Sequence, residues 1–202
     1  MPSKHFTQTP SKHWLLTTKE KQIQIKVAFR NLPTPISNEK FHLDPIYRHQ
    51  RYFALMYYSK CTNGYVLRLE AGEEVQESLR LFSQSMGLRG GFYQGIGTLT
   101  QVELAFFRIN EQKYDHRFFD IDYEVISLMG NISLVNESPV VHSHVCLGDS
   151  SFNTISGHLV RGIVSLTVEI LITPIDITLT RKEDPLLKFK GLISQNRLQL
   201  KM

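Results

Sequence analysis

The chain has 202 residues, of which 42% are hydrophobic, enough for one packed domain with an extension. Two cysteines, Cys61 and Cys146, make no disulfide framework, so a reducing, cytoplasmic setting is expected. No apolar run is long enough for a bilayer-spanning helix: the best candidate, 162–172, is short and carries Glu169. The first residues also lack the charged-then-apolar order of a signal peptide.

The net charge of +4 is unevenly spread. Residues 1–60 hold 10 Lys/Arg against 3 Asp/Glu, whereas residues 61–202 hold 13 against 16. The excess positive charge therefore sits wholly in the first segment, which Pro2, Pro10, Pro33, Pro35 and Pro45 interrupt. Within it, Gln22–Phe29 reads as one short strand. Three readings remain open for this basic N-terminal extension: a phosphate-contacting arm, a poorly structured tail, or a misassigned start with translation beginning at Met56. The absence of a dense Lys/Arg cluster favours the last two.

From Tyr65 the pattern becomes regular. Tyr65–Glu70 alternates as a strand does. Glu73–Met86 places Val75, Leu79, Phe82 and Met86 on one helical stripe, with Glu73 and Glu74 in the first turn and Gly87 as its stop. The run Gly90–Gly97 contains a Gly-x-Gly, but no helix signature follows it, so bends or close packing within β-structure explain it better than a phosphate loop. Leu99–Phe107, Tyr123–Leu134, Ile163–Ile172 and Ile175–Arg181 are further predicted strands, with a bend or bulge at Gly130-Asn131. Residues 185–202 read as a loose C-terminal tail.

The chemistry concentrates in Val140–Leu159. Val140–Leu147 alternates, which puts His142, His144 and Cys146 on one face and Val141, Val145 and Leu147 on the other. Gly148–Ser151 is a turn signal, and Phe152–Val160 can return antiparallel. A tight turn near Ser150 brings His158 opposite His144, where facing Cβ atoms lie about 4.5–5.5 Å apart. Three imidazoles would then meet, leaving a fourth position open as catalytic zinc sites do. A slip of one residue would send His158 to the wrong face, and Gly157 is a candidate bulge. Ordinary packing of the histidines is the competing account. Cys146 reads as a small packed residue rather than a ligand.

One helix among many strands cannot supply parallel crossovers. The expected class is α+β: an antiparallel sheet strongly curved around one main helix, over residues 61–184.

Five ordered blocks carry a resemblance: YVLRLEAGEEVQESL, GGFYQGIGTL, YEVISLMGNISL, PVVHSHVCLGD and SGHLVRGIVSLTVEI. Together they resemble the plants-and-prokaryotes-conserved (PPC) domain family, in its bacterial-type single-domain form, over Tyr65–Arg181. The resemblance implies a homotrimer. It also implies that His142, His144 and His158 occupy the family's metal-binding histidine positions, with zinc favoured, and that Asn131 and Glu169 match recurrent positions. Plant members contact DNA through a separate AT-hook, which this chain lacks; the acidic balance of residues 61–202 argues against DNA binding by the isolated domain. Asp122–Ile126 matches the plant partner-contacting stretch. Two functions follow as expectations. One is a metal-binding regulatory or DNA-associated homotrimer that recruits an unknown protein partner. The other is a zinc-dependent lyase or hydrolase acting on a small molecule, by similarity of the fold to α-acetolactate decarboxylase, with Glu169 as the candidate proton carrier.

Overall fold

A computed structural model describes residues 56–186 and 188–193. The expected strand at Gln22–Phe29, the basic segment up to residue 55 and the end of the chain lie outside the described residues.

The described chain runs β1 (Tyr57–Cys61), β2 (Gly64–Glu70), α1 (Val75–Ser85), β3 (Gly91–Arg108), β4 (Lys113–Phe119), β5 (Tyr123–Val135), β6 (Ser138–Gly148), β7 (Thr154–Pro174), β8 (Thr180–Glu183) and β9 (Lys190–Ile193). All ladders are antiparallel except the single parallel bridge between β5 and β8. The expected α+β class, mostly sheet with one short helix, is what forms. Four strands pair in a ring: β3 with β5 and β7, and β6 with β5 and β7.

The helix starts at Val75, two residues later than the expected Glu73. Glu74 is its N-cap, accepting from the backbone N–H groups of Gln76 (3.1 Å) and Glu77 (2.7 Å). The same carboxylate accepts from the Gly162 N–H at 3.1 Å, so the cap also fastens the helix to β7. Gly87 ends the helix at φ 65°, and the Leu88 N–H reaches back to the Ser83 carbonyl at 2.9 Å. Val75, Leu79 and Phe82 are buried together with Leu67, Leu69, Leu128, Leu147 and Ile170. Each such side chain contributes about 1.5–3 kcal/mol over its exposed state.

The structure corrects several expected elements. Phe152–Val160 and Ile163–Ile172 are halves of one 21-residue strand, β7. Its bending is taken up by register shifts against β3, between Gly97 and Leu99 and around Glu103. The glycine run belongs to β3, with a shift against β5 between Gly95 and Gly97. Ile175–Arg181 is not a strand in itself. The Ile175 and Leu179 N–H groups bond to the carbonyls of Gly90 and Arg89, and regular pairing begins only at Thr180. The expected loose tail contains β9, which pairs with β8. β1 and β4 were not expected. β4 is a largely exposed strand, KYDHRFF, with no apolar alternation to betray it.

Gly130 does not bend β5. It passes so close to the Tyr93 hydroxyl and the His142 carbonyl that a Cβ would overlap both. Gly130→Ala is expected to cost about 1–3 kcal/mol, the usual range for overpacking a well-filled interior. Urea denaturation checks it, as a lower midpoint at an unchanged slope.

Candidate metal centre

The β6–β7 register is the one on which convergence depends. His144 faces His158 directly, and the ladder continues through Val145–Gly157 and Cys146–Ser156 to Gly148–Thr154 without a slip. Asp149 sets the turn: its Oδ1 accepts from the N–H groups of Ser151 (2.8 Å) and Asn153 (2.9 Å). Phe152 takes the left-handed conformation that closes it, at φ 62°. Gly157 is not a bulge in this ladder. It is a close approach, where a Cβ would meet the Ala105 carbonyl at 3.3 Å.

His142, His144 and His158 come together. Ring centroids are 5.1 Å apart for His142–His144, 4.9 Å for His142–His158 and 5.5 Å for His144–His158. Each ring can offer one nitrogen such that all three lie within 4.8 Å of one another. Tetrahedral zinc with Zn–N of about 2.0–2.1 Å needs nitrogens about 3.4 Å apart, so the rings need only small inward shifts. His158 Nδ1 is buried without a hydrogen-bond partner, a lone pair or N–H that an ion at the centre would account for. The residues therefore fit a metal.

Burial pushes the His142 imidazole down to about 4, helped by the Arg181 charge and then by His158 and His144. His158 is lowered too, by burial first and then by His144 and Arg181. Both rings are therefore neutral near pH 7, the state in which imidazole is a ligand. An all-imidazole set suits zinc and its first-row neighbours rather than calcium or magnesium.

Beneath the pair lies a polar network. Ser143, between the two histidines and fully buried, donates to Gln76 Oε1 of the helix and accepts from the Tyr93 hydroxyl at 2.5 Å. The Gln76 amide donates to the Leu159 carbonyl at 2.9 Å. One helical side chain thus holds β6 beside His142 and His144, and β7 beside His158.

Arg181 approaches His142 from β8. Its Nη2 donates to His142 Nδ1 at 2.9 Å and to Asn131 Oδ1 at 3.0 Å. Its Nε donates to Ser133 Oγ at 3.0 Å, and its Nη1 to the Lys190 carbonyl at 2.8 Å. Sequence reasoning missed Arg181, Gln76, Ser143 and Tyr93 as parts of the site. Only Asn131, flagged by the family resemblance, pointed toward it.

The histidines lie on the outward face of the sheet between two cavities. One, of about 460 Å³, is lined by Phe92, Tyr93, Gln94, Met129, Asn131, His142 and His144. The other, of about 840 Å³, is walled by Phe106, Phe107, Ile109, Tyr114 and Phe189 and floored by all three histidines. Tyr114 lies against His158, with ring centroids 5.5 Å apart. Cys146 lines the larger cavity but is not one of the converging residues. Glu169 does not join them either. It is exposed further along β7, opposite Arg68 and Ile96, and lines a separate groove with Val66 and Ile126. In Asp122–Ile126, Tyr123 and Val125 are buried, while Glu124 and Ile126 face out.

The family model of the Plants and Prokaryotes Conserved (PCC) domain, the PPC domain, matches residues 56–176. The chain belongs to this family. Among solved structures, it is similar to a candidate DNA-binding protein from Bacteroides thetaiotaomicron, at 28% identity over 68% of this chain and 96% of that one, with a TM-score of 0.66. It is similar to a PPC protein from Pyrococcus horikoshii, at 29% identity over 72% and 98%, with a TM-score of 0.62. A metal-containing protein from Archaeoglobus fulgidus shares the fold at 20% identity over 69% and 99%, with a TM-score of 0.61. No curated protein sequence matches the chain. Among the described residues, no helix is long and apolar enough to cross a membrane.

The depressed imidazoles carry a pH signature. In the unfolded chain His142 takes up its proton near the ordinary value of 6.5, whereas in the folded, metal-free domain it stays neutral until about 4. The unfolded state then binds more protons, so chelator-treated protein is expected to lose stability as pH falls from 6.5 to about 4. Denaturation midpoints across that window check this, and His142→Asn should flatten the slope.

Proposed function

We propose that this PPC-family protein is a zinc-binding homotrimer with a regulatory role, its ion held by His142, His144 and His158. The observation that carries the reading is the convergence of three imidazoles from adjacent strands, one with an unpartnered buried nitrogen. The Archaeoglobus fulgidus protein that shares the fold is metal-containing, which is consistent with it.

Trimer assembly is supported by the outward sheet face. Val66, Phe92, Ile96, Ile126, Met129 and Leu171 are exposed there at 39–59%. Cross-strand partners such as Gln94 with Met129 and Leu171, and Val66 with Leu171, make this one continuous surface. A contiguous apolar patch of this kind marks an interface. Native mass spectrometry is expected to give three chains with about one zinc each, as three open-sided zinc sites require. His144→Ala should keep the trimer mass and lose the zinc; equal zinc in both proteins would end the metal assignment.

The Bacteroides relative is described as a candidate DNA-binding protein. Here the acidic balance of residues 61–202 directs any DNA contact to the basic first segment. A chain begun at Met56 should therefore shift DNA no more than a neutral control protein in a gel assay at moderate salt. A retained, salt-sensitive shift would overturn this.

A second reading, a zinc-dependent enzyme acting on a small molecule, is favoured by one feature. The larger cavity opens directly onto the three histidines and is ligand-sized. Zinc held there would supply a Lewis acid for a carbonyl or an acidified water. The aromatic walls would take the apolar part of such a ligand and exclude bulk solvent. Glu169 has no part in this reading, because it lines a different groove.

A further inference from the structure

Arg181 can only donate hydrogen bonds. Its contact with His142 Nδ1 therefore uses the lone pair of that nitrogen, and the ring's single proton sits on Nε2. In this state neither nitrogen of His142 is free for a metal. Binding through Nδ1 puts the ion where the guanidinium N–H now points. Binding through Nε2 moves the ring proton to Nδ1, where two donors would face each other. Either route breaks the Arg181–His142 hydrogen bond.

The surroundings fit a residue that holds the ring until an ion arrives. Arg181 is partly buried, and its four hydrogen bonds go to neutral acceptors: Asn131, Ser133, His142 and the Lys190 carbonyl. Among the described residues no carboxylate pairs with it. Its positive charge beside the imidazoles also opposes an incoming cation. Ordinary supporting partners of a metal-bound histidine behave oppositely: a carboxylate, carbonyl or water accepts from the distal N–H and strengthens binding.

Resting on the zinc reading above, we propose that Arg181 and the metal ion are alternative partners of His142. Arg181 is then a positioning residue that closes the metal-free site and lowers its affinity. Its other three bonds tie β5 to the β8–β9 hairpin, so loading the ion loosens the hold of that hairpin on the centre.

The test uses the full chain with Arg181→Met, which removes the donor. Arg181→Gln serves as a second variant, since its amide oxygen can accept from an Nδ1–H. Zinc affinity is measured against a competing chelator. Both variants are expected to bind zinc about tenfold or more tightly than wild type, the reverse in sign of the usual loss on removing a metal-supporting partner. Equal or weaker binding in the variants, with zinc still at the histidines, overturns the proposal and leaves the zinc reading standing. No zinc in any of the three proteins overturns both. Nitrogen NMR of the imidazoles is the readout independent of affinity. Metal-free wild type should carry the His142 proton on Nε2. A proton on Nδ1 there, or a His142 ring with no N–H in the zinc-loaded protein, contradicts the mechanism.

Discussion

The β6–β7 register is the constraint from which the rest follows. With period two along each strand, a shift of one residue would exchange the faces of every side chain on β6. Val145 and Leu147 would leave the core as His142 and His144 entered it. Burial of those two side chains, with the Asp149 turn, therefore fixes the position of the imidazoles without any direct bond between them. The driving force is hydrophobic and lies on the inner face, while its chemical result appears on the outer one.

The inner face is not purely apolar, and its polar members lie directly behind the histidines. Gln76, Ser143 and Tyr93 use one another's hydrogen-bonding capacity instead of solvent. Unmade, each such bond would leave a buried group at a cost of about 1–3 kcal/mol. Met, these demands join helix, β3, β6 and β7 at one place. The outer side is held differently, by a guanidinium reaching across from β8. The centre is thus braced from behind by a neutral network and from the side by a cation.

Much of this was legible in the sequence, because it depended on local periodicity. The histidine faces, the turn at Gly148–Ser151, the helix stripe and its Gly87 stop all follow from spacing and residue type within a few positions. What was not legible depended on contacts between distant segments. Arg181 looked like the end of an ordinary strand, since nothing local indicates that its side chain reaches residues 131, 133 and 142. Family position points to Glu169 for chemistry, yet its strand carries it to another groove. The division of β7 into two strands failed for a related reason. Residues 161–162 lie between the two expected strands, whereas β7 runs on through them with register shifts against β3 that no local pattern announces. β4 escaped notice because an exposed edge strand needs no apolar alternation.

The ring formed by β3, β5, β6 and β7 has a consequence for how long the centre lasts. Each of these strands is zipped to two of the others, so none can peel away without surrendering a pair of ladders. β1 and β9, each paired on one side only, can fray on their own. His144 and His158 belong to the closed circuit, and they separate only when the whole circuit opens. Their proximity therefore has the lifetime of the folded domain itself, while the arm bearing Arg181, attached near the margin, can come and go on a much faster clock.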